Sequence, residues 1–96
     1  MSQPLKEQLS PHDFLIRASQ LVNGPRSQTH GDYRDQHQKC AALWSAYLGQ
    51  PITAEDVALM LALMKVSRMR MGSYNRDHYD DAAAYIGIAG ALAQDG

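Results

Sequence analysis

A lone cysteine, Cys40, excludes an internal disulfide framework in this 96-residue chain and suits a reducing compartment. Long hydrophobic runs are also missing. The longest, Val57 to Met64, is far short of a membrane span. Charge of one sign is not in excess: the net charge is −1, so there is no broad basic field for a nucleic-acid backbone. A local basic pocket remains compatible with that balance. Glutamate is scarce, with Glu7 and Glu55 the only two. The polar start, MSQPLKEQL, has no signal-peptide pattern, and a cytoplasmic location is expected. Strand-type alternation, internal repeats and low-complexity tracts are absent.

Helical signals fill most of the chain. Residues 1–9 read as a flexible tail ahead of one helical domain spanning 1–96. Ser10 is an N-cap and Pro11 fits the first helical position, ahead of the run HDFLIRASQLV. Asn23-Gly24-Pro25 stops that helix. Asp32 caps a second helix over 33–48, with Tyr33, Cys40, Ala41, Trp44, Tyr47 and Leu48 as its apolar stripe. Gly49 and Pro51 end it. Thr53 opens something close to a capping box for a third helix running to about Met71 and stopped by Gly72. The first half of that helix, VALMLALM, is apolar on every side and predicts a central buried helix. Asn75 caps a fourth, over about 76–93 and rich in alanine and glycine. The expected fold is all-α: a four-helix up-down bundle with short connections. So small a core also predicts a homo-oligomer.

Three polar clusters fall on the predicted apolar stripes, where charge costs free energy unless paired or ligand-bound. They are His37, the pair Lys65 and Arg68, and the pair Asp77 and Asp81. In an up-down bundle all three reach one end, joined there by the loop bearing Arg26, His30 and Asp32. The bland explanation is an internal salt-bridge network with His37 as a satisfied core histidine. The functional one is a single pocket. Cys40 is expected to be an inert thiol, Trp44 the main core anchor, and His12 exposed. The histidine spacing matches no common zinc pattern.

The motifs THGDY at 29–33, ALWSAYLG at 42–49, ITAEDVALM at 52–60, KVSR at 65–68 and NRDHYDDAAAY at 75–85 occur in order. Together they resemble a small helical family of bacteriophages and prophages over about residues 22–93. That family is in turn similar to MazG-like all-α nucleotide pyrophosphohydrolases. The resemblance implies that His30, Gly31, Asp32, Trp44, Lys65, Arg68, Asp77, Asp81 and Tyr85 matter. Ala84 departs from the family's usual glycine, and Ala91 from an acid found in many members.

MazG-like enzymes hold magnesium with E-x-x-E and E-x-x-D motifs, because Mg²⁺ needs hard oxygen ligands. Neither glutamate here belongs to such a motif, so only Asp77 and Asp81 offer a metal from helix four, with Mg²⁺ or Mn²⁺ as cofactor. The expectation favoured over that enzyme is a phage-type protein that binds a phosphorylated nucleotide, cyclic or linear, and needs no cofactor. Its role would be to sequester a defence signal. Lys65 and Arg68 would take phosphate, Arg26 or His30 would close over it, His37 would line the same pocket, and Tyr33, Trp44, Tyr74 or Tyr79 would stack on a base. Asp32, Asp77 or Asp81 would accept from ribose or base. A third expectation is a structural or host-protein-binding module using Met60, Met64, Met69 and Met71. The sequence identifies no particular catalytic residue, and no membrane contact or extended nucleic-acid interface is expected.

Overall fold

The computed structural model describes residues 8–23 and 32–95. Among them are four helices and no strand: α1 (Pro11–Asn23), α2 (Tyr33–Leu48), α3 (Ala54–Met69) and α4 (Arg76–Asp95). Their ends are set by the local signals. The Ser10 hydroxyl accepts the Asp13 amide at 3.3 Å, and the Asp13 carboxylate accepts the Ser10 amide at 2.8 Å. Asp32 accepts from the Arg34 amide at 3.3 Å to start α2. Thr53 and Asp56 form a complete capping box at the start of α3. Asn75 Oδ1 accepts the Asp77 amide at 3.0 Å to start α4. Such caps each stabilise a helix by about 0.5–2 kcal/mol. Gly49 leaves α2 with φ 69° and Gly72 follows α3 with φ 68°, a left-handed conformation that glycine adopts without a Cβ penalty.

Helix α4 is the centre of the fold, with α1 and α3 both packed on it. Its small side chains let α3 come close. Ala58 and Ala62 of α3 are buried, as are Ala82, Ala84, Ala89 and Leu92 of α4. The fully enclosed apolar core is small: of nine buried apolar residues among the described ones seven are alanines, and only Val57 and Leu92 are larger.

The helices do not follow the up-down order expected from the sequence. Arg76 at the start of α4 donates to the Asp13 carbonyl at the start of α1 (3.2 Å). Helices α1 and α4 therefore begin at the same end, where an up-down bundle would place their starts at opposite ends. Helix α2 is tied at both of its ends to the other end of the α3–α4 pair. Ser45 Oγ bonds the Ile52 amide at 2.8 Å, and Arg34 Nε meets Asp95 at 3.0 Å. Tyr33 packs with Ala54, Ala58 and Leu92 in that region. So α2 spans one end of the pair instead of running back along α3.

The expectation for α3 also needs correcting. It is not buried on every side within one chain: Leu59, Met60, Leu63, Met64 and Val66 are all exposed. The apolar residues are there, but only one flank of the helix is covered by α4. No helix among the described residues is long and apolar enough to cross a membrane.

Candidate functional site

Two separated polar groups result. The first surrounds the start of α4. Asp80 and Ala84 share the buried flank of that helix one turn apart, and Arg76 lies one turn before Asp80. Asp80 is only 1% exposed. Its Oδ2 accepts from Arg76 Nε at 3.0 Å, while its Oδ1 has no partner among the described residues. The Arg76 guanidinium also lies 5.3 Å from the centre of the Phe14 ring. This one cation thus links a buried acid on α4 with the backbone and aromatic face of α1. Nearby, Lys65 Nζ reaches Asp81 at 3.1 Å, fastening α3 to α4, with side chains only 14% and 21% exposed.

Lys65 and Asp81 are therefore on the inward stripe, as the sequence implies. Arg68 and Asp77 are exposed, contrary to expectation. Both sit in the terminal turn of a helix, where no neighbour among the described residues covers the stripe. The predicted fourfold network reduces to the one pair Lys65–Asp81. The residues missing from the sequence reading were Asp80 and Arg76. Their i,i+4 spacing, next to an alanine run, was the available signal.

The connection between α3 and α4 adds aromatic surface. Tyr74 and Tyr79 stack with ring centres 5.7 Å apart and planes at 30°. Phe14 approaches Tyr79 edge-on at 6.2 Å. Tyr74 is 68% exposed and Tyr79 38%. Exposed Arg68 lies at the α3 side of the same connection, and neither it nor Arg70 has an ion partner among the described residues.

The second group lies at the α2 end. His37 is 5% exposed. Its Nδ1 stands 2.8 Å from the Tyr33 carbonyl, so Nδ1 carries the proton that it donates. Its Nε2 is buried without a partner among the described residues. Arg34 lies over the Tyr33 ring at 4.9 Å. Trp44 is half-buried and, with Tyr47, Leu48 and Met60, lines a shallow apolar depression instead of anchoring a closed core. Burial pushes the Cys40 thiol up, which keeps it protonated and unreactive at neutral pH. His12 is exposed, as expected.

These groups do not converge. Asp81, paired with Lys65, and Asp95, paired with Arg34, lie fourteen residues apart on α4. At 1.5 Å per residue that is about 21 Å. His37, one turn from Tyr33, belongs to the Asp95 end. The single pocket joining His37, Tyr33, Asp32 and Trp44 to Lys65, Arg68, Asp77, Asp81 and Tyr79 is thus split in two within one chain. Arg26, His30 and Gly31 lie outside the described residues. Among those residues no three His, Cys, Asp or Glu side chains come together as a metal site. Asp77 and Asp81 do not form one: Asp77 faces solvent and Asp81 is engaged by Lys65.

Comparison with known proteins places residues 13–93 within DUF6378, a domain of unknown function. The Gene 55 protein of Mycobacterium phage L5 is 40% identical over 76 residues, covering 78% of this chain and 49% of that protein. The Gene 55 protein of Mycobacterium phage D29 is 37% identical over 74 residues, covering 77% and 49%. The chain thus spans about half the length of the curated relatives it matches. No solved structure matches it.

Proposed function

The chain belongs to the DUF6378 family, represented in phages L5 and D29, and we propose that it binds a phosphorylated nucleotide at the connection between α3 and α4. The observation that carries this reading is the exposed Tyr74–Tyr79 stack on the connection that Arg68 leads into. A base stacks on an aromatic face for about 1–3 kcal/mol. An arginine adds paired, charge-assisted hydrogen bonds to phosphate. Lys65 has a different role from the one expected: held by Asp81, it braces α3 against α4 and is not free for a ligand.

Holding is favoured over cleavage. A metal-dependent pyrophosphohydrolase related to the MazG-like enzymes would draw its carboxylates from the start of α4. There Asp80 and Asp81 already neutralise Arg76 and Lys65, so Mg²⁺ or Mn²⁺ would have to displace a cation first. Binding without turnover suits sequestration of a nucleotide signal, and a homo-oligomer is part of this reading.

The test is a thermal-shift panel of nucleoside mono-, di- and triphosphates and cyclic nucleotides. At least one should raise the melting temperature. Tyr74→Ala and Arg68→Ala should each weaken that ligand about 5- to 100-fold with helicity unchanged. A flat response across the panel refutes the proposal and leaves a structural or protein-binding module. Pyrophosphate release with Mg²⁺, lost in Asp81→Ala, establishes the enzyme instead.

A further inference from the structure

The outward flank of α3 carries Asp56, Leu59, Leu63 and Val66, followed by Arg70 at its C-cap, at steps of three and four residues. That spacing is the seam of a coiled coil. Among the described residues none closes over it: Leu63 is 65% exposed, Val66 45% and Met60 42%. It continues onto α2 through the depression shared by Met60 and Tyr47, with Tyr47 89% exposed and Leu43 71%.

We infer that a second copy of this chain covers the seam, with the two α3 helices antiparallel and Leu63 on the two-fold axis. This deepens the homo-oligomer part of the reading above and does not depend on a ligand. Three observations select a second copy. The first is symmetry. A two-fold interface brings identical residues together at its axis, which must therefore be neutral and self-complementary. Leu63 is both. The second is charge. Asp56 and Arg70 lie seven residues on either side of Leu63, so antiparallel pairing sets each Asp56 opposite the partner copy's Arg70. Met60 then meets Val66, and the two helix dipoles oppose favourably. Asp56 already accepts the Thr53 amide through Oδ2, which leaves its other oxygen for the arginine.

The third observation is area. The exposed parts of Leu43, Tyr47, Leu59, Met60, Leu63 and Val66 amount to between three and four bare large side chains. At about 150–250 Å² each, that is roughly 500–900 Å². A standard interface takes about 800 Å² from each partner. Among the described residues only Val57 and Leu92 are buried apolar side chains larger than alanine, so cover over this face would add substantially to a small core.

Two measurements test the inference. Sedimentation equilibrium of the full chain at about 10–100 µM should give a dimer or an even multiple of it. Leu63→Cys in a Cys40→Ser background should then form a disulfide-linked pair on mild diamide oxidation, because residues on the axis meet within disulfide reach. Leu15→Cys on exposed α1 is the control and should not cross-link. Arg70→Asp sets like charges opposite and should weaken the dimer several-fold. A monomer across this range overturns the homo-oligomer itself. An oligomer whose Leu63→Cys form cross-links no better than the Leu15→Cys control overturns this interface and leaves the ligand proposal standing.

Discussion

Removing the Arg76 side chain strands a carboxylate inside the protein. The Asp80 side chain is 2% exposed, and Arg76 Nε at 3.0 Å is its one partner among the described residues. In Arg76→Met, Oδ2 joins Oδ1 as an unpaired buried oxygen. Losing one partner of a buried ion pair costs about 3–5 kcal/mol, because the other charge is left desolvated. The hydrogen bond to the Asp13 carbonyl and the contact with Phe14 are lost as well. A chain of this length has about 5–14 kcal/mol of stability in total. Urea unfolding at fixed protein concentration should therefore show Arg76→Met losing at least about 3 kcal/mol. Adding Asp80→Asn, which keeps the shape and removes the charge, should recover part of that loss. Lys39→Ala breaks a solvated pair with Asp35, whose side chains are 75% and 64% exposed, and should cost under about 0.5 kcal/mol. If Arg76→Met costs no more than Lys39→Ala, Asp80 is not the buried charge described here.

Lys65→Met should destabilise by about 2–4 kcal/mol and Lys65→Met with Asp81→Leu by much less, measured by urea unfolding, because the pair is a brace that apolar packing can replace. The double variant should keep its nucleotide response; loss of that response with an intact fold would return Lys65 to the ligand site. Gly87→Ala should stabilise by about 0.5–1 kcal/mol, since Gly87 lies inside α4 and an added Cβ meets nothing within 4 Å. A destabilised Gly87→Ala would mean that a partner packs on that spot. The hydrogen bonds from the Ser10 amide and hydroxyl hold the Asp13 carboxyl below its usual value near 3.8. Its contribution is complete above that value and disappears as pH falls through the lowered one. The stability advantage of the native chain over Asp13→Asn should thus be flat from neutral pH to about 4 and shrink below it, read from urea midpoints across that range.

Helix limits were legible because caps are local. Ser10, Asp32, Thr53 and Asn75 each bond a backbone amide two or three residues on, and Gly49 and Gly72 need only their own backbone freedom. The inward placing of His37, Lys65 and Asp81 was legible from helical period. Coverage was not. Period locates a stripe but not the neighbour over it, so Arg68 and Asp77 were set inside terminal turns that nothing covers. Helix order was not legible either. Nothing local says that Arg34 will find Asp95, or Arg76 the Asp13 carbonyl, and those contacts separate His37 from Lys65. The apolar excess of α3 implies burial, yet among the described residues it forms an exposed face.

Amide NMR of the ¹⁵N-labelled chain, titrated with the nucleotide giving the largest thermal shift, tests the binding claim most directly. Shifts should concentrate in residues 68–81, with little movement across residues 33–45 of α2, which meets the far end of α4 about 20 Å away. Shifts centred on Tyr33, His37 and Trp44, or no shifts at saturating nucleotide, would contradict it.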